Sequence, residues 1–243
     1  MDAPRDDLVR GYQPGLQMRA EADGAPPTLF GHFSVFDTWT EIHSYQEGEF
    51  LERVAPGAFA KTIKEGRANI KVLYDHGQDP ELGNKPLGPL TDLREDDTGG
   101  YYEVPLIDTS YNRDFLIPAL NAGLLGASFR FSVVRDEWND QPTRSAFNPS
   151  GLPERTLKEV RLYELGPVTF GAYPEATAKV RSLTDHYHDL RTPRHRAAQD
   201  GHPVIDGAAN SSTPDTPASA PPDGMTPGER ARVLRQITLP KEH

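Results

Sequence analysis

The sequence predicts an α+β fold, mostly β: a small closed β-barrel with a few packed helices and a disordered C-terminal tail. Three observations predict it. Short runs of alternating apolar and polar residues recur from about residue 28 to residue 172, punctuated by Gly, Pro, Asp and Asn. Within that region only two short segments carry helical spacing. From Arg191 onward the chain turns to Pro, Ala, Ser, Asp and Thr, a composition that buries too little apolar area to offset ordering entropy. The expected organisation is a flexible leader at 1–27, a folded domain at 28–185 and a disordered tail at 186–243.

The elements follow in order. Residues 28–36 give a first strand, with alternation broken at Asp37, and 49–54 give a second. Residues 55–66 predict a short helix, because Pro56 stands near its start, Phe59 and Ile63 lie one turn apart, and Gly66 closes it. Strands are expected at 70–74, 86–94 and 100–107, the last two joined by a hairpin turn through Asp97-Thr98-Gly99. Residues 112–121 predict a second helix, shortened or distorted by Pro118. Strands at 126–137 and 156–163 complete the domain, with 168–172 trailing. In the tail, Thr226-Pro227-Gly228-Glu229 opens a possible short helix over 226–237.

Composition limits the chemistry. The chain has 243 residues, 36 acidic against 26 basic, and a formal charge of −10. Such a surface repels phosphate backbones, so no nucleic-acid partner is expected. The chain contains no cysteine, which excludes disulfides, thiolate nucleophiles and cysteine metal sites. No run approaches the roughly 20 apolar residues of a membrane-spanning helix, and the acidic start lacks a signal-peptide core. His186 and His188 lack a regular third ligand, and no phosphate-binding loop motif occurs, so neither a metal nor a cofactor is expected.

Two strands carry the residues that nucleophilic catalysis needs. One ends Val72-Leu73-Tyr74-Asp75-His76, and the other contains Ala127-Ser128-Phe129-Arg130-Phe131. A serine hydroxyl needs a neighbouring base to become nucleophilic near neutral pH, and histidine is well matched to that task. Period-two alternation sorts the faces. Ala127, Phe129, Phe131 and Val133 form a core face, leaving Ser128 beside Arg130 on the other. Asp75 falls opposite His76 in that reading and is a poor partner for it. Glu164 continues the apolar face of Val160 and Leu162, so its carboxylate needs a buried donor. His76 is one candidate for that donor, and Lys158 or Arg161 are the competing ones.

Taken in order, the segments resemble the prohead serine proteases of tailed bacteriophages, which mature the capsid. The matching elements are Glu52-Arg53-Val54-Ala55-Pro56-Gly57-Ala58-Phe59, Val72 through His76, Pro86-Leu87-Gly88, Asn121 through Phe131, Leu162-Tyr163-Glu164, and Val168-Thr169-Phe170-Gly171-Ala172. They span roughly 29–180, with 52 positions separating His76 from Ser128. Two positions depart from the family pattern: Arg130 stands where a small residue is expected, and Gly166-Pro167 where a Ser is expected.

The resemblance implies a herpesvirus-assemblin-like β-barrel and a serine endopeptidase. Ser128 would be the nucleophile, His76 the base and Glu164 the third member. Separately from the resemblance, the place of Arg130 on the serine face makes it a candidate to assist an oxyanion. The resemblance further implies cleavage of scaffold protein, of the major capsid protein and of the protease itself. Self-association is possible, and the work would be done inside the assembling prohead in the cytoplasm of the bacterial host. The alternative is a catalytically silent, protease-like scaffold or assembly protein.

Overall fold

Alternation of apolar and polar residues builds ten strands, and they divide between two sheets. The computed structural model describes residues 3–12, 16–169 and 183–191, all within one compact unit. Its strands are β1 (Leu8–Tyr12), β2 (Leu16–Arg19), β3 (Thr28–Val35), β4 (Thr40–Ser44), β5 (Gly48–Val54), β6 (Lys71–Val72), β7 (Asp92–Glu95), β8 (Gly99–Pro105), β9 (Gly126–Asn139) and β10 (Glu154–Val168). Its α-helices are α1 (Ala60–Gly66), α2 (Ile117–Asn121) and α3 (Leu183–Arg191). The fold is α+β and mostly β.

The larger sheet runs β1-β9-β10-β5-β4, with the short β6 also paired to β10. The smaller runs β2-β3-β8-β7. The expected closed barrel does not form among the described residues, because β1 and β4 end one sheet while β2 and β7 end the other. Pairing with β10 is parallel for β5 and β6 and antiparallel for β9. Aromatic side chains bridge the sheets. Phe33 of β3 meets Phe129 of β9 edge-on with ring centres 5.5 Å apart, and Phe59 packs on both rings at 5.0 and 5.6 Å. Such contacts contribute about 0.5–1.5 kcal/mol each beyond the apolar area they bury.

Several expected elements differ. Residues 1–27 do not remain a loose leader: β1 inserts against β9 with Leu8 and Val9 fully buried. Its alternation is hidden in the sequence because Arg10 is buried too, with its guanidinium held by Glu47 and Glu52. The strand expected at 70–74 shrinks to β6, and that expected at 86–94 to β7. The second helix opens as a π turn at Asn112–Leu116 before α2, which accommodates Pro118 near a helix start. Residues 183–191, expected to straddle the end of the domain, form α3 against β1. The rest of the tail, with the expected helix at 226–237, lies outside the described residues.

Candidate active site

Three elements distant in sequence converge on one imidazole. After β6 the chain turns sharply through Asp75, His76 and Gly77, all with left-handed backbone (φ 49°, 54° and 70°). The turn is closed by Gly77 N–H donating to the Tyr74 carbonyl and Gln78 N–H to that of Asp75, both at 2.9 Å. His76 therefore sits on a turn rather than on the strand face that alternation assigns it. The residue is 3% exposed, and its ring points at β9 and β10.

Nε2 of His76 lies 2.7 Å from Ser128 Oγ. Its other nitrogen, Nδ1, is hydrogen-bonded to Glu164 Oε1. Ser128 stands on β9 and Glu164 on the neighbouring β10, where a register shift between Leu162 and Glu164 sets the carboxylate opposite Arg130 in the ladder. Ser128 and Glu164 are 0% and 5% exposed. The partners dictate the tautomer: Nδ1–H donates to the carboxylate, which leaves Nε2 bare to accept the serine proton. That proton has a second acceptor, because Ser128 Oγ also donates to the Arg10 carbonyl at 2.8 Å. A hydroxyl has one hydrogen to give, so β1 competes with the imidazole for it.

The close approach of the histidine segment to β10 depends on Gly166, which faces Ser128 in register. A Cβ at that position would lie 1.9 Å from the Leu73 carbonyl oxygen. The departure from the family pattern at Gly166 thus coincides with a backbone contact that leaves no room for a side chain.

Arg130 goes elsewhere. Its Nε donates to the Asp7 carboxylate, which Arg191 Nη1 also contacts at 3.0 Å. The structure thus brings together Ser128, His76 and Glu164, and directs the guanidinium of Arg130 towards the N-terminal segment. Sequence reasoning missed one neighbour of the histidine. Tyr187 of α3 meets the His76 ring edge-on at 4.5 Å, and its hydroxyl donates to Asp75 at 2.5 Å. Burial, and then the Asp75 charge, push the Tyr187 phenol well above its ordinary pKa, so it stays a donor. No motif marks Tyr187; it lies between the two histidines weighed as metal ligands.

The family model for caudovirus prohead serine proteases matches residues 15–189, more than half of the 243-residue chain. The chain belongs to this family. The matched span ends inside α3, so the family domain takes in all three converging side chains and Tyr187. Among solved structures, the bacteriophage T4 capsid assembly protease is similar over 67% of this chain and 96% of that one, with 15% identity and a TM-score of 0.41. A search of curated protein sequences returned no match. Among the described residues, no helix is long and apolar enough to cross a membrane.

Proposed function

We propose that the protein is a serine endopeptidase that cleaves the scaffold, the major capsid protein and itself during prohead maturation. It would act inside the assembling shell in the host cytoplasm. Family membership supports the protease role, and one observation carries the mechanism: the unbroken line Glu164–His76–Ser128, drawn from three separate elements. Ser128 Oγ attacks the scissile carbonyl carbon while His76 Nε2 takes its proton. Glu164 stabilises the imidazolium that forms. As the tetrahedral intermediate collapses, Nε2–H protonates the leaving amine. Water, deprotonated by the same nitrogen, then hydrolyses the acyl-enzyme. Arg130, engaged by Asp7, has no part in these steps.

Co-assembly fits this chemistry. A shell that confines protease and substrate together raises their effective concentration, so weak substrate binding suffices and free host proteins are spared. The burial of Ser128 means that a peptide gains access only after local opening, which suits an enzyme that must wait for assembly. The same burial is the one observation that favours a catalytically silent assembly protein instead.

A fluorophosphonate, which phosphonylates activated serines, separates the two readings. Peptide mapping is expected to find one adduct, on Ser128, that disappears in His76→Ala. Absence of that adduct both from the free protein and from proheads would leave the silent reading standing.

A further inference from the structure

We propose that Tyr187 is a positioning residue for His76: its hydroxyl, acting through Asp75, holds the left-handed turn that aims the imidazole at Ser128. Two consecutive non-glycine residues with positive φ are costly, about 1–3 kcal/mol each, and persist only where their surroundings over-determine them. The two backbone hydrogen bonds of the turn close it but do not orient it against β9. Tyr187 supplies an outside anchor, since it is fully buried, packs its ring edge on the imidazole and donates to Asp75.

The anchor itself is well held. Thr184 of α3 accepts from Val9 N–H at 3.0 Å and from Arg10 Nη1 at 2.9 Å. Asp185 accepts from Ser44 Oγ at 2.7 Å and from Tyr45 N–H at 3.0 Å. Arg191 reaches Asp7. The helix is thus tied to β1 and to the end of β4, and it presents the Tyr187 hydroxyl to the histidine turn. A buried ring could fill this space without a hydroxyl. The hydrogen bond to Asp75 is what makes the contact directional. Docking of α3 thereby becomes a condition for an aligned triad.

The kinetic arm of the test rests on the protease reading; the spectroscopic arm does not. In the full-length protein, Tyr187→Phe keeps the ring and removes the hydroxyl, Asp75→Ala removes its acceptor, and Asp75→Asn keeps an oxygen acceptor. The spectroscopic probe is the downfield proton resonance of His76 Nδ1–H in its bond to Glu164. Tyr187→Phe and Asp75→Ala are each expected to weaken or abolish that resonance and to slow phosphonylation of Ser128 about 10-fold, as expected of a slightly misplaced base. The double variant should be no worse than either single one, because the two act as a unit, and Asp75→Asn should restore both signals. Wild-type resonance and labelling rate in Tyr187→Phe, or additive losses in the double variant, would overturn the proposal. If the wild type labels neither as the free protein nor in proheads, the protease reading fails, and the resonance alone still decides the role of Tyr187.

Discussion

Replacing Gly166 with Ala perturbs the site without touching any of its three polar groups. The added Cβ would meet the Leu73 carbonyl oxygen at 1.9 Å, its carbon at 3.0 Å and its nitrogen at 3.2 Å. Relief to at least 3.0 Å requires the Leu73 backbone to retreat by about 1.1 Å. That retreat breaks the 3.1 Å bond from Leu73 N–H to the Leu165 carbonyl and drags the turn three residues downstream that carries His76. A displacement of about 1 Å at a reacting group costs roughly 10²-fold in rate, and overpacking of this kind costs about 1–3 kcal/mol in stability. The assay is the phosphonylation rate of Ser128 alongside thermal melting. The account predicts a roughly 10²-fold slower reaction and a melting temperature lower by several degrees, with Ser128 still the labelled residue. Wild-type rate and melting in Gly166→Ala would refute the claim that this close approach places the histidine.

Other perturbations have distinct signatures. Glu164→Ala leaves His76 Nδ1–H without its buried acceptor, and processing of a co-expressed substrate should fall about 10⁴-fold, as when the orienting carboxylate of a triad is lost. Arg10→Met takes the nearest cation from the buried carboxylates of Glu47 and Glu52 and leaves them the longer contacts to Arg155 at 4.0 and 3.3 Å, so urea melts should show a loss of about 3 kcal/mol. Burial alone would raise the pKa of Glu47, but the charge and hydrogen bonds of Arg10 outweigh it and hold it below the ordinary 4.5. The stability this gives is present above pH 4.5 and is lost as pH falls through the lower folded value; the acid limb of the stability curve should be shallower in Arg10→Met. Arg130→Ala removes a partner of Asp7 and nothing from Ser128, so labelling should slow by less than about 10-fold, against the 10²–10³-fold loss expected if its guanidinium held an oxyanion.

How much could be read in advance depended on the range of the interaction. Ser128 was legible because local alternation fixes which face a strand residue takes, whereas Glu164 was found by its chemistry. Alternation assigns it to the face of Val160 and Leu162, and the register shift after Leu162 moves it to the face of Arg130 and Ser128. Phe129, Phe131, Val160 and Leu162 are indeed buried as that alternation requires. His76 was found for its chemistry but misplaced, since two left-handed non-glycine residues in succession leave no mark on periodicity. The β1 strand was missed because its buried arginine is neutralised by glutamates 37 and 42 residues away. Division into two sheets instead of one barrel depends on long-range pairing, which strand periodicity does not encode. Tyr187 was invisible for the same reason, as its acceptor lies 112 residues earlier.

The most direct test of the central claim is co-expression of the chain with its capsid and scaffold partners, comparing wild type with Ser128→Ala by intact-mass spectrometry. The account predicts shortened capsid protein, shortened scaffold and a shortened form of this chain in the wild type, with all three at full length in Ser128→Ala. Full-length products in both, with particles still assembling, would contradict it.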